Sequence, residues 1–210
     1  MLLFLRITMT RIVKKPNERK LEIIRTARDL FLTQDYDKTT MQDFMNHLGI
    51  AKGTIYHYFK SKEELLEAVV EDIVNQHLEM MQTVMHEAKG DALQKIQTLI
   101  QEGRINAPFI LEQLHDRGNE SLHTRLLVAA LMKQAPLYAE VIRQGCTEGI
   151  FQTQNPLECA EFILTAVQFL TDLGIHPWSK EDLKRRNQAF PFLIEQLLKA
   201  PAGSFQFLLN

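Results

Sequence analysis

"TTMQDFMNHLGIAKGTIYHYFKSKEEL", Thr39 to Leu65, holds two short apolar patterns divided by one glycine. Met41, Phe44, Met45 and Leu48 recur at helical spacing, and Thr40 precedes them where a hydroxyl can accept from free N–H groups. Gly49 closes this helix, since glycine enters the left-handed conformation without steric cost. Ile55 and Phe59 mark the inner face of a short segment over about residues 51 to 59. Ser61 and Glu64 then make the capping-box pattern that opens a long fourth helix. Upstream, Leu21, Ile24, Ala27, Leu30 and Phe31 form the inner face of a first helix, about residues 18 to 34. Two short helices joined at a glycine and braced by a third make a helix-turn-helix.

Charge separates this region from the rest. From Arg11 to Lys62 there are 11 Lys and Arg against 6 Asp and Glu, a balance of +5. From Glu63 to Asn210 there are 12 against 20, a balance of -8. A basic first quarter suits a polyanion, and the acidic remainder keeps away from it.

The outward residues of the quoted stretch fit DNA. In a helix-turn-helix the second helix enters the major groove while its neighbours hold the backbone. Gly53 lacks a Cβ, so the start of that helix can approach DNA closely. Lys52 and Thr54 flank it and can reach base edges or phosphates. Tyr56 and His57 offer donors to phosphate, and a tyrosine ring can touch a thymine methyl. Lys60 and Lys62 lie beside the start of the fourth helix, where free N–H groups favour phosphate, and Thr40 stands at the equivalent place on the second. The plain alternative is a solvated basic face on a small helical domain.

The same stretch resembles the DNA-binding signature of TetR-type transcriptional regulators. The resemblance is specific over about residues 18 to 66 and architectural beyond. It implies a homodimer, an N-terminal DNA-binding domain, and a C-terminal domain whose small-molecule effector releases a double-stranded DNA operator. By position it places Thr40, Lys52, Gly53, Thr54, Tyr56, His57, Lys60 and Lys62 toward DNA. Two positions depart from the pattern. Ala51 stands where a capping serine or threonine is common, and Asp35 stands where glycine is common. Aspartate tolerates the left-handed conformation, so the turn should survive.

The rest of the chain reads as helices, giving an all-α fold: a three-helix DNA-binding domain and a larger helical domain. The expected spans are about 61–87, 91–102, 104–117 with Pro108 near a start or kink, 120–135, 136–151 from Pro136, 155–173 after Asn155-Pro156, and 179–199. Pro191 should kink or interrupt the last of these. The domains expected are an arm over 1–17, the DNA-binding domain over 18–63, and an effector-binding and dimerisation domain over 64–210. The start, "MLLFLRI", matches a signal peptide poorly, and Met9 opens a more ordinary polar start.

In the fourth helix Leu66, Val70, Ile73, His77, Met81 and Val84 share a stripe. His77 and Met81 are either core residues or part of an effector site, and their i, i+4 spacing could serve haem or a soft metal if a third ligand were evident. The helix after Asn155 is apolar on two faces, Phe162, Ala166, Phe169 and Leu173 on one, Ala160, Ile163, Val167 and Leu170 on the other. Such a helix must be buried twice. The last helix adds Phe190, Leu193, Ile194 and Leu197. The resemblance implies that these two helices form a four-helix dimer interface, which assigns Phe162, Phe169, Phe190, Leu193 and Leu197 to it; a single monomeric core is the alternative. His115 and His123 lie in a polar segment and are expected at the surface or a subunit rim.

Cys146 and Cys159 lack metal-pair spacing and suit a reducing cytoplasm, with Cys146 expected as a buried thiol. No run reaches the length of about 18 apolar residues that a membrane helix needs. No nucleophile-base set or phosphate loop stands out, so no catalytic residue, cofactor or metal is expected. The leading reading is a repressor released by a small apolar or amphipathic effector. An architectural DNA-binding protein without effector and a helical ligand carrier are the competing classes.

Overall fold

The computed structural model describes residues 15–106 and 120–209. Among these, eight α-helices and one 3-10 turn carry the fold, with no strand. We number the α-helices α1 (Pro16–Gln34), α2 (Met41–Leu48), α3 (Lys52–Tyr58), α4 (Lys62–Glu87), α5 (Ala92–Asn106), α6 (Glu120–Thr147), α7 (Pro156–Thr171) and α8 (Lys180–Leu198). The expected helix over 104–117 beyond α5, with Pro108, and His115 lie outside the described residues, as does most of the expected arm.

The first core forms where α1 to α3 close on the first half of α4. Proline opens α1 at its first position, where its missing N–H has no partner to lose. The buried face of α1 is Ile23, Ile24, Ala27, Leu30 and Phe31. Leu21, expected inside, is exposed, and Ile23, two residues on, is buried instead. Phe31 meets Tyr36 and Phe44 edge-on, with ring centres 5.1 and 5.4 Å apart. Ile55 of α3, Phe59 just beyond it, and Leu65, Leu66, Val69, Val70 and Val74 of α4 complete this core. Leu122 and Leu126 of α6 belong to it too. This first core runs past residue 63, through Val74 of α4.

The second core joins the far end of α4, at Met81, to α5, α6, α7 and α8. A Cβ on Gly145 would stand 2.3 Å from the Phe151 ring and 3.0 Å from the Ala92 methyl, so α5 and α6 meet closely only because glycine is there. The C-terminal residues close over the same core. Phe205 is buried against Phe151, and the buried Glu195 carboxylate accepts its N–H at 3.1 Å.

Further local expectations fail. Pro136 does not start a helix: α6 runs unbroken from Glu120 to Thr147. Its ring is exposed, and the carbonyl it cannot bond, that of exposed Met132, can be met by water. Pro191 does not interrupt α8 either; it is buried in the helix's inner face, held by Phe190 and Ile194 on each side. His123, expected at the surface, is buried, with its Nε2 3.0 Å from Asp172 Oδ2. Cys159 is buried, while Cys146 is only half-buried.

Candidate functional site

The α2–α3 pair is built by its caps. The Thr40 hydroxyl accepts the Asp43 N–H and donates to Asp43 Oδ2 at 2.6 Å, and the Asp43 carboxylate also accepts the Thr40 N–H at 2.8 Å. These bonds from the Thr40 hydroxyl and backbone hold the Asp43 carboxyl below its ordinary range. Gly49 ends α2 in the left-handed conformation at φ 60°, as expected. Ala51 gives α3 no side-chain cap. Asp35 does take positive φ, at 65°, but its ψ of 143° lies outside the left-handed helical basin that aspartate tolerates.

With Ile55 and Phe59 turned inward, α3 presents the opposite stripe to solvent. Lys52, Gly53 and His57 are exposed, with Thr54, Tyr56 and Tyr58 half-buried among them. The Lys52 ammonium lies 5.7 Å from the Tyr56 ring centre, one turn on. His57 meets Tyr58 edge-on at 5.0 Å. An added Cβ on Gly53 would meet no atom of the protein within 4 Å. Nothing inside the chain therefore requires glycine at that position.

The remaining sequence candidates are engaged within the chain. Lys60 donates to the Tyr56 carbonyl at 3.0 Å, covering the C-terminal end of α3, yet its side chain stays exposed. Lys62 turns inward: its Nζ donates to the Tyr36 carbonyl at 2.9 Å and stands 4.1 Å from the Tyr36 ring centre. Its role in this structure is to brace the start of α4 against the loop before α2. The Tyr36 hydroxyl in turn bonds Glu63, whose carboxyl sits below its ordinary range mainly through hydrogen bonds at the helix start. The Ser61 hydroxyl accepts the Glu64 N–H as expected, but the Glu64 carboxylate reaches back to the Lys60 N–H rather than to Ser61. Sequence reading missed Lys20 of α1, whose Nζ lies 5.7 Å from the Phe59 ring centre, beside the end of α3. Its position in a basic run was the available signal.

Farther along α4, Met81 is buried in the second core and His77 is half-buried on the same stripe. Burial pushes the His77 imidazole below its ordinary pKa, which keeps it neutral at pH 7. Burial also holds the Tyr138 hydroxyl up at about 12, at the edge of the same core. Among the described residues no group of three or more His, Cys, Asp or Glu is placed to hold a metal ion, and no helix is long and apolar enough to cross a membrane.

The expected dimer residues divide into two sets. Phe162 is 67% exposed, Phe169 37% and Leu193 55%. Phe190 instead lies in the chain's own core, and Leu197 packs half-buried against that core. Phe192, two residues on from Phe190, is 60% exposed, as is its neighbour Leu193 at 55%. Val167, Leu170, Leu173 and Ile175 extend this apolar surface along α7 and the turn after it.

Two family models match the chain. One, described as bacterial regulatory proteins of the tetR family, matches residues 23–69; the other, a tetracyclin repressor-like C-terminal domain, matches residues 105–192. Together they cover more than half of the sequence. The HTH-type transcriptional repressor KstR2 of Mycolicibacterium smegmatis is 34% identical over 61 residues, which are 29% of this chain and 30% of that protein. The match thus spans under a third of that relative's length. Among solved structures, a TetR-family transcriptional regulator from Pectobacterium atrosepticum superposes with a TM-score of 0.66 at 20% identity, over 88% of this chain and 96% of that one. A TetR-family regulator from Mesorhizobium loti gives 0.59 at 21% identity, over 89% and 98%. At these identities the two structures speak for the fold alone. Helix-turn-helix, all-helical body and both family matches agree: the chain belongs to the TetR family of bacterial regulatory proteins.

Proposed function

We propose that this protein is a cytoplasmic transcriptional repressor that binds a palindromic operator as a homodimer and leaves it when a small apolar or amphipathic effector binds. The observation that carries the reading is the solvent-facing stripe of α3, where Lys52, Gly53, Thr54, Tyr56 and His57 lie together and Gly53 has open space above it. Lys60 and Lys20 supply phosphate contacts beside it. Lys62 and Thr40 contribute through the helix starts that they brace rather than through free side-chain donors.

Our reading puts the effector site at His77 and Met81; what supports it is their position where α4 passes from the first core into the second. At about 1.5 Å per residue, His77 lies roughly 20 Å along the helix from Lys62. A displacement at that point changes the spacing of two DNA-reading units only to the extent that the ligand binds the two arrangements unequally, typically by about 1–3 kcal/mol. A neutral imidazole and a thioether favour an apolar or amphipathic molecule over a sugar or nucleotide. The name repressor, carried by the similar protein of Mycolicibacterium smegmatis, supports the direction of control.

The test is selection of DNA fragments from a random pool by the purified protein. The reading expects an inverted repeat and release of that DNA by one class of metabolite. Binding without sequence preference points to an architectural protein, and no DNA binding points to a ligand carrier.

A further inference from the structure

We infer that the buried pair His123–Asp172 is the link that fixes the DNA-reading unit to the apolar face on α7; the inference rests on the two-fold DNA reading proposed above. The pair joins elements 49 residues apart, with Nε2 and Oδ2 separated by 3.0 Å and the two side chains only 4% and 9% exposed. On one side, His123 sits in the first turns of α6, between Leu122 and Leu126, which are part of the first core. On the other, Asp172 caps the end of α7. Its second oxygen, Oδ1, accepts the N–H groups of Gly174 and Ile175 at 2.7 and 3.2 Å. One carboxylate therefore holds both the imidazole and the turn that carries exposed Leu173 and Ile175.

The last turn of α7 is also held from α8. Arg186 donates to the Leu170 carbonyl at 2.8 Å and lies 3.7 Å from the Trp178 ring centre. The α7 end thus has a fixed shape, and His123 is the polar side chain that ties that shape to α6. Other polar ties of α6 run to α4 and α5: Arg125 to Glu67 and Lys133 to Glu71, each at 3.2 Å, and Lys95 of α5 donating to the Gln144 amide oxygen at 2.9 Å. Each of these side chains is exposed or half-buried, so water and salt compete with these ties. The His123–Asp172 bond is shielded from that competition, and breaking it strands buried polar atoms. Apolar contacts tolerate small sliding; a buried directional bond does not. His123 and Asp172 are therefore positioning residues, which set where each DNA-reading unit stands relative to the dimer face.

The experiment uses the full-length protein and DNA that wild type selects, offered either with both half-sites or with one. The double change His123→Leu/Asp172→Asn removes the link without leaving a carboxylate unpaired, and it keeps an amide oxygen for the Gly174 and Ile175 N–H groups. It should fold and bind a single half-site like wild type. Its preference for the two-half-site DNA should fall at least about fivefold, the lower end of ordinary intersite coupling. His123→Gln, whose amide nitrogen reaches the place of Nε2 and can donate the same bond, should keep the wild-type preference. If the double change does not fold, His123→Asn, too short to reach Asp172, is read in its place. A folded link-breaking variant with the wild-type preference overturns the link alone, as does a His123→Gln variant that loses as much as the double change. A wild-type protein with no preference for two half-sites overturns the dimeric reading and the link with it.

Discussion

Gly53 occupies the second position of α3, where alanine would fit and would favour the helix. Glycine in a helix costs up to about 1 kcal/mol relative to alanine, and no internal contact offsets it here. The proposed close approach of DNA supplies a reason for it from outside the chain. Gly53→Ala should therefore raise the thermal midpoint slightly and weaken operator binding, read by circular dichroism and fluorescence anisotropy on the same preparation. Unchanged affinity would remove the close approach from the argument. Asp35 carries the opposite kind of cost. Its φ of 65° with ψ of 143° lies near a region that is essentially glycine-only, worth about 1–3 kcal/mol of strain. Against this, its side chain makes an exposed ion pair with Lys38, worth about 0–1 kcal/mol. Its carbonyl bond from the Thr39 hydroxyl would survive any substitution, being backbone. Asp35→Gly should stabilise the fold by about 1 kcal/mol, seen as a higher urea midpoint at unchanged slope. A lower midpoint would show that the ion pair outweighs the strain.

The elements were legible in the sequence where local chemistry decides them. Thr40, Gly49 and Ser61 each act at a helix end as their local chemistry dictates, because a cap involves only neighbours in the chain. Legibility stops where partners are distant. Pro136 and Pro191 read locally as breaks, yet packing on both sides of each carries α6 and α8 through them. His123 reads as a surface residue because its partner Asp172 lies in a different helix's cap. Lys62 reads as a free cation because nothing local shows that Tyr36 folds back beneath it. Gly145 belongs to the same class: inside α6 it resembles a helical weakness, while its function is to admit Phe151 and Ala92. Gly145→Ala should destabilise by about 1–3 kcal/mol, the ordinary penalty for overpacking. Adding Phe151→Leu should recover part of that loss in urea denaturation, since it withdraws the ring atoms that the new methyl would strike. Equal stability of the single variant and wild type would mean that the α5–α6 contact yields without cost.

At the scale of the whole molecule the question is what covers α7 and α8. The chain carries its net positive charge in the first quarter and most of its exposed large apolar side chains on α7, α8 and the turn between them, Phe162, Phe169, Leu173, Phe192 and Leu193 among them. That division suits a protein whose one end meets a polyanion and whose other end meets a second copy. Two-fold symmetry then requires each copy to present the same patch, so a single substitution acts twice at the interface. Phe162 and Phe192 separate dimerisation from folding, because both side chains are already exposed in the single chain. Phe162→Glu/Phe192→Glu should leave helical content and thermal cooperativity intact while placing four carboxylates in the apolar contact, where unpaired charge is strongly disfavoured. Light scattering should show a dimer for wild type at micromolar concentration and a monomer for this variant. Phe190 supplies the contrast, since it lies in the second core: Phe190→Ala should cost about 3–5 kcal/mol of stability. A variant that remains dimeric with glutamates at 162 and 192 would move the interface off this face, and a wild-type monomer would remove the need for one.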